Sequence, residues 1–291
     1  MRAPHFSIDG GILTQVTANL YNFSLIIVDI NDPNRNGCDV SLINFYAINK
    51  SNQFIFYIIQ PSHLLKCHQM LTSSSNPVMP ETTVVQKSPK LIPEIIQRLQ
   101  AGEVLILHTD TTYALIANGQ ETAAVEKILT LKQGTTAQPM ALLTRKDQAQ
   151  EFFIVDRYFE QFLEHFPYPV TLIVQPKENI PAAVANGFKN IFAVCPDQFV
   201  YDLIGEAPFP IAATSASFFG GLKAITIEMA LRFFEGKVPY AVDGGTSKYG
   251  RSGTLIDLTV ARPAMLTYGP VSYHDLIEFI PNLELPSHMR K

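Results

Sequence analysis

The alternation of helix and strand patterns after residue 87 constrains the fold more than any other feature of this sequence. Segments with apolar residues at helical spacing alternate with short apolar runs, and several short runs then follow one another. This order indicates a mixed sheet with helices packed on it, and therefore an α/β fold. The predicted helices are 90–100, 121–131, 157–165, 200–204, 226–234 and 272–279, and the predicted strands are 103–108, 140–143, 171–175, 191–195, 211–214, 241–243, 254–257 and 264–266.

The first 87 residues form a segment of a different kind. Apolar runs at 25–28 and 54–59 alternate with stretches rich in Asn and Ser, a pattern typical of short strands between turns. Three interpretations stay open: a small β-rich appendage, a poorly ordered extension, or sequence upstream of the true start, for which Met79 is the natural candidate. The sequence thus predicts an N-terminal extension over 1–87, an α/β domain over 88–280 and a tail over 281–291.

Composition and charge exclude several classes of protein. Hydrophobic residues make up 47% of the 291 residues and charged residues 16%, which is an ordinary balance for a globular chain. The formal net charge of −4 argues against a strongly basic nucleic-acid-binding protein, although it leaves room for a local basic patch. We find no apolar run near the roughly 18 residues of a membrane span and no signal-peptide pattern.

Cysteine and histidine spacing predicts neither a disulfide framework nor a metal site. The three cysteines, Cys38, Cys67 and Cys195, lie far apart, and their odd number does not match a set of paired disulfides. No HExxH or other paired ligand spacing occurs. We therefore expect reduced thiols in a cytoplasmic protein that binds no membrane and has no metal site of its own.

Four loops rich in hydroxyl groups and glycines are the candidate ligand-binding segments, because ligands of α/β sheets collect in loops at strand ends. The loop 108–115 offers threonine hydroxyls to a carboxylate or phosphate, and its alternative interpretation is a turn that caps its own backbone. The loop 214–221 joins Thr-Ser-Ala-Ser to two glycines, which let a ligand approach the backbone. A plain turn of small residues explains that loop equally well.

The other two loops carry positive charge. Lys132 ends a predicted helix before the loop 133–140, where a lysine is commonly a solvated charge that suits the helix dipole. The fourth loop, 243–254, contains the sole arginine of the four, Arg251, which is therefore the best candidate to clamp a phosphate. The alternative interpretation of this fourth loop is a flexible hairpin loop that binds no ligand. The P-loop, Rossmann and GxSxG patterns are all missing from the sequence.

Taken in order, these loops resemble the motifs of the YrdC-like family, whose best-known members are threonylcarbamoyl-adenylate synthases. The resemblance extends from about residue 88 to residue 271 and implies a twisted, open sheet with a concave, ligand-binding face. In this sequence 108–115 resemble the family's PTDTxYGL, 167–173 its PGPxTxI, 214–217 its TSAN, 243–245 its DGG and 250–257 its GxxSTVVD.

The resemblance implies a nucleotidyltransferase that condenses L-threonine, bicarbonate and ATP, with Mg²⁺, into threonylcarbamoyl-AMP and pyrophosphate. That product serves the t6A modification of tRNA, and some members of the family bind double-stranded RNA. On this interpretation the catalytic residue is Lys132, which contacts phosphate or bicarbonate. The residues that hold threonine are then Thr109, Thr111 and Tyr113, and those that hold the nucleotide are Ser215, Ser217, Arg251 and Thr254.

The sequence also departs from the family motifs at charged positions. Gly134, Val194 and Thr267 stand where the motifs have arginine, and Ser217 stands where they have asparagine. Each charge-assisted hydrogen bond contributes about 1.5–3 kcal/mol, so the loss of three would weaken ATP binding by orders of magnitude unless Lys132, Lys248, Arg251 or the metal compensates. Two other functions stay open: a non-catalytic paralogue that binds a nucleotide or double-stranded RNA, and a role in carbamoyl transfer.

Overall fold

The computed structural model describes residues 81–132, 138–217, 221–286 and 289, and the backbone of four strands before residue 60. The chain divides into two compact units, Met1–Val78 and Met79–Lys291. The four strands of the first unit pair antiparallel in chain order; they are β1 (Asn19–Leu20), β2 (Phe23–Ile27), β3 (Ile43–Ile48) and β4 (Phe54–Ile59). The three interpretations of the segment 1–87 stay predictions.

The second unit contains a ten-stranded sheet. Its strands are β5 (Thr83–Gln86), β6 (Leu105–Leu107), β7 (Ala114–Asn118), β8 (Ala141–Leu143), β9 (Tyr168–Val174), β10 (Ile191–Cys195), β11 (Ile211–Ser215), β12 (Tyr240–Asp243), β13 (Thr254–Asp257) and β14 (Ala264–Thr267). The order across the sheet is β14-β13-β9-β10-β8-β11-β7-β6-β12-β5. Parallel pairs, such as β8 with β10, occur beside antiparallel pairs, such as β7 with β11. This confirms the predicted α/β fold with an open, mixed sheet.

The helices of the second unit bury one face each against the sheet or a neighbouring helix. In the helix 157–165 the aromatic side chains of Phe159 and Phe162 are buried, and Asp156 caps the first turn by accepting hydrogen bonds from two backbone N–H groups. The helices are α1 (Ile92–Gln100), α2 (Thr122–Leu131), α3 (Lys146–Phe152), α4 (Arg157–His165), α5 (Ala182–Ala185), α6 (Gln198–Glu206), α7 (Ile227–Phe234) and α8 (Tyr273–Ile277).

The sheet begins before the predicted first residue of the domain, and residues beyond its predicted last residue pack on it. The strand β5 lies before residue 88 and pairs in parallel with β12, so that Thr83 stands opposite Tyr240. At the other end, the backbone N–H of Met265 donates to the carbonyl of Glu284 at 3.0 Å, and Leu283 is buried. The beginning of the predicted tail therefore packs on the domain, because its apolar side chains find buried surface beside β14.

Candidate functional site

A cavity of about 310 Å³ lies over one face of the sheet. Its floor is a row of directly paired residues: Leu143 stands opposite Val194, Val194 opposite Thr171, Thr171 opposite Leu255, and Leu255 opposite Thr267. Paired residues of neighbouring strands point to the same face, so this row crosses five strands as one surface. The volume lies at the small end of the range for ligand pockets.

The four loops singled out in the sequence all contribute to the wall of this cavity. The first provides Thr109, Thr111 and Thr112, the second Gln138 and Pro139, the third Thr214 and Ser215, and the fourth Ser252 and Gly253. The polar part of the lining is thus made mainly of hydroxyl groups, which can donate to and accept from a ligand without adding charge. The structure therefore brings together the segments that the sequence predicted to bind a ligand.

Within the first loop, the two predicted threonines have different surroundings. Thr109 is 4% exposed, and its hydroxyl donates to the carbonyl of Thr112 at 2.6 Å and accepts from the Thr112 N–H at 3.2 Å. That geometry is the self-capped turn that was the alternative interpretation of the loop. The hydroxyl of Thr111 lies 2.9 Å from that of Thr109 and, being half-buried, can reach a ligand as well.

Tyr113 is fully buried and lies outside the lining of the cavity. Its hydroxyl is 2.6 Å from Oδ1 of Asp243 and 2.7 Å from the carbonyl of Gly245. Burial, and then the hydrogen bond to Asp243, raise the pKa of Tyr113 above its usual range. The tyrosine therefore ties the first loop to the fourth, and a direct contact with threonine stays a prediction.

Of the four residues predicted to hold a nucleotide, only Ser215 belongs to the described lining of the cavity. Ser217 is fully buried, and its hydroxyl donates to that of Ser215 at 3.3 Å. Thr254 is also fully buried and exchanges hydrogen bonds with the backbone of Val271. Arg251 is exposed and lies outside the lining. Three of the four side chains thus lie outside the described lining of the cavity.

Lys132, the predicted catalytic residue, is 3% exposed and contacts the third loop. Its ammonium donates to the carbonyl of Ser215 at 2.9 Å and to the carbonyl of Ser217. Burial, and secondarily the charge of Lys223, lower the pKa of Lys132 to about 8. The side chain holds the loop that carries Ser215, and it is absent from the described lining of the cavity.

The lowered pKa of Lys132 predicts a pH-dependent term in stability. In the unfolded chain a lysine keeps its proton up to about pH 10.4, whereas in the folded chain Lys132 loses it near pH 8. Between these values the unfolded chain binds more protons, so the contribution of Lys132 to the free energy of unfolding rises with pH. We expect the wild type to gain about 2 kcal/mol over Lys132→Met between pH 7.5 and pH 10, measured by urea unfolding.

The comparison with Lys132→Met removes the titration of every other group. Tyr113, for example, becomes unfavourable to the fold at high pH because its pKa is raised, but it does so equally in both proteins. A difference in unfolding free energy that stays constant from pH 7.5 to pH 10 would contradict the prediction.

Sequence reasoning missed Lys223, which belongs to the lining of the cavity. This lysine follows the two glycines of the third loop and matches no motif. The hydroxyl-rich and glycine-rich composition that identified the loop ends before residue 223. Val194 and Thr267, which stand where the family motifs have arginine, also line the cavity. Gly134, the third position where the motifs have arginine, lies outside the described residues.

A second polar cluster contacts the beginning of the first loop. His108 is 6% exposed, and its Nδ1 lies 3.1 Å from the ammonium of Lys87, which is 3.6 Å from Oδ1 of Asp197. Asp197 accepts a hydrogen bond from the N–H of Asp110 at 3.0 Å. Burial, and then the charge of Lys87, lower the pKa of His108. A neutral, packed His108 therefore fixes the start of the loop.

Two classes of feature are missing from the residues that the structure describes. No helix among them is long and apolar enough to cross a membrane. Within those same residues, no group of three or more His, Cys, Asp or Glu side chains is arranged to hold a metal ion.

Comparisons with known proteins agree with this geometry. A protein of Methanocaldococcus jannaschii, provisionally named a threonylcarbamoyl-AMP synthase, is 27% identical over 172 residues, which are 58% of this chain and 81% of that protein. The threonylcarbamoyl-AMP synthase of Pyrococcus abyssi is 25% identical over 191 residues, 64% of this chain and 56% of that protein. The crystal structure of P. abyssi Sua5 complexed with L-threonine has a TM-score of 0.64 at 23% identity and covers 71% of this chain and 62% of that chain.

The structural match shows a shared fold, and the chain spans only about half to two thirds of the length of the P. abyssi protein. The family model of Sua5, YciO and YrdC, described as "Telomere recombination", matches residues 97–269, which is more than half of the chain and contains all of the described cavity lining. By its sequence and by the arrangement of its four loops, this chain belongs to the Sua5/YciO/YrdC family.

Proposed function

We propose that the second unit is a divergent L-threonylcarbamoyladenylate synthase, which forms threonylcarbamoyl-AMP and pyrophosphate from L-threonine, bicarbonate and ATP for the t6A modification of tRNA. The observation that carries the proposal is the convergence of all four motif-bearing loops on one cavity over the sheet. The names of the relatives support the same reaction. The free, buried Cys195 agrees with the cytoplasmic location proposed from the sequence.

Side chains at or near the cavity would orient the substrates in this reaction. The hydroxyls of Thr111 and Ser215 would orient the substrates, while Lys132 would keep Ser215 in place through the loop carbonyls. Such positioning can supply much of the rate of a condensation reaction. No Asp or Glu lines the cavity among the described residues, so that part of the chain offers Mg²⁺ no carboxylate there, and any Mg²⁺ would arrive with ATP.

Pyrophosphate release tests the proposal directly. We expect purified full-length protein to release pyrophosphate from ATP only when L-threonine and bicarbonate are both present. Lys132→Ala should lower that rate at least about tenfold, because two buried carbonyls lose their donor and the loop shifts. Lys127→Ala, which removes an exposed lysine from α2, is the matched control and should leave the rate unchanged. Release at background level in the wild type would remove the proposal.

A second candidate is a non-catalytic paralogue that binds a nucleotide or double-stranded RNA. The observation that favours it is the uncharged floor of the cavity, where Val194 and Thr267 take the places of motif arginines. Such a protein would bind ATP or AMP without releasing pyrophosphate. Retention of double-stranded RNA with a steep salt dependence would support the RNA-binding form.

A further inference from the structure

The positive charge available to a ligand in the cavity comes from one residue of the described lining. Lys223 is the one Lys or Arg among the described residues of the cavity wall, and it is exposed. The rest of the wall consists of hydroxyl, amide, aliphatic and aromatic groups. An anionic ligand group that enters the cavity therefore meets a single ammonium from these residues, together with neutral hydrogen-bond donors.

The two lysines near the third loop have different environments. Lys132 is buried outside the described lining of the cavity, and its ammonium donates to the carbonyls of Ser215 and Ser217. Lys223 lies on the cavity side, and the two charges are close enough for Lys223 to contribute to the lowered pKa of Lys132.

We propose that Lys223 binds the anionic group, a carboxylate or a phosphate, of the ligand in the cavity, and that Lys132 is a positioning residue that holds the loop 214–217. Lys223 then provides part of the positive charge for an anionic ligand that the family motifs provide with arginines at the positions of Val194 and Thr267. The assignment of Lys223 rests on the proposed function only in the choice of ligands, L-threonine and a nucleotide.

A lysine cannot replace an arginine in geometry. Its ammonium is a compact point charge on a flexible stem, whereas a guanidinium binds a carboxylate or phosphate with two parallel hydrogen bonds. The cavity should consequently favour one compact anionic group, oriented further by the hydroxyls of Thr214 and Ser215. Removing the charge should weaken binding about 10- to 100-fold, the range expected for one charge-assisted hydrogen bond.

Calorimetric binding of three separate probes to the full-length protein tests the proposal. The probes are L-threonine for the carboxylate, AMP for the phosphate and inorganic pyrophosphate for a more highly charged anion. We expect Lys223→Gln to weaken binding of L-threonine or AMP at least about tenfold, and Lys223→Arg to restore most of it. Lys127→Gln is the matched control, because Lys127 is an exposed lysine of α2 that lies outside the cavity lining.

Each outcome bears on the proposal. Weaker binding in the threonine arm alone assigns the carboxylate, and weaker binding in the AMP arm alone assigns the phosphate. Unchanged affinities in Lys223→Gln, a loss in Arg251→Gln instead, or no binding of any probe to the wild type would each overturn the proposal. Because Lys223 is exposed, its variants should keep the melting temperature of the wild type. Intact probe binding without pyrophosphate release would reject the proposed function and leave the role of Lys223 standing.

Discussion

Gly269→Ala is expected to destabilise the domain by about 3 kcal/mol or more. A Cβ atom on Gly269 would lie 2.2 Å from the backbone nitrogen of Thr254 and 2.6 Å from the carbonyl carbon of Gly253. These are backbone atoms, so the clash cannot be relieved by a change of rotamer. The loop between β14 and α8 would have to move away from the start of β13, and the free energy of unfolding measured in urea should fall accordingly.

Gly187→Ala is the control for a substitution of the same size. Gly187 has a φ of +80° and no atom within 4 Å of the added Cβ, so its cost is limited to about 1–2 kcal/mol of left-handed strain. Gly253 lines the cavity, so Gly269→Ala should also weaken ligand binding, whereas Gly187→Ala should not. Equal destabilisation by the two substitutions would show that Gly269 does not pack against Thr254 as tightly as the structure indicates.

The elements that the sequence predicted well are those whose local signals agree. The helix α4 has its predicted bounds because a capping Asp156 precedes apolar residues at helical spacing. The helices α3 and α5 were missed because they are short and bury few side chains, Ala149 and Phe152 in the first case. Periodicity needs more than one or two turns before it can be distinguished from chance.

Strands were missed for a different reason. The strand β7 lies between β11 and β6 and is buried on both faces, so it lacks the alternation of a half-exposed strand. Its sequence Ala-Leu-Ile-Ala-Asn adjoins the first motif and was counted partly with that loop. The strand β5 has only four residues at the edge of the sheet, and its pairing with β12 depends on a partner far along the chain.

The candidate site was predicted at the level of loops better than at the level of side chains. Hydroxyl-rich and glycine-rich composition is a local property, and it located four loops that do meet at the cavity. Some hydroxyl partners are local, as for Thr109 and Thr112, but others are not: Tyr113 contacts Asp243 across 130 residues of sequence. Lys223 carries no motif, and only the path of the chain after the third loop brings it to the cavity.

Thr254→Val is expected to lower the free energy of unfolding by about 2–3 kcal/mol. The hydroxyl of Thr254 donates to the carbonyl of Val271 at 2.8 Å and accepts from the N–H of Val271 at 3.0 Å, and the side chain is fully buried. Valine has the same shape without the hydroxyl, so both backbone groups would lose this partner inside the protein.

Thr254→Ser separates this structural role from the nucleotide-binding role predicted for the residue. Serine keeps the hydroxyl and loses one buried methyl group, so it should cost only about 1 kcal/mol in urea unfolding. If Thr254 instead served mainly to bind a nucleotide, Thr254→Val would lower the affinity for AMP at unchanged stability. The hydrogen bonds to Val271 predict the opposite result: Thr254→Val mainly lowers the free energy of unfolding. The affinity for AMP should fall only to the extent that the neighbouring wall residue Gly253 moves.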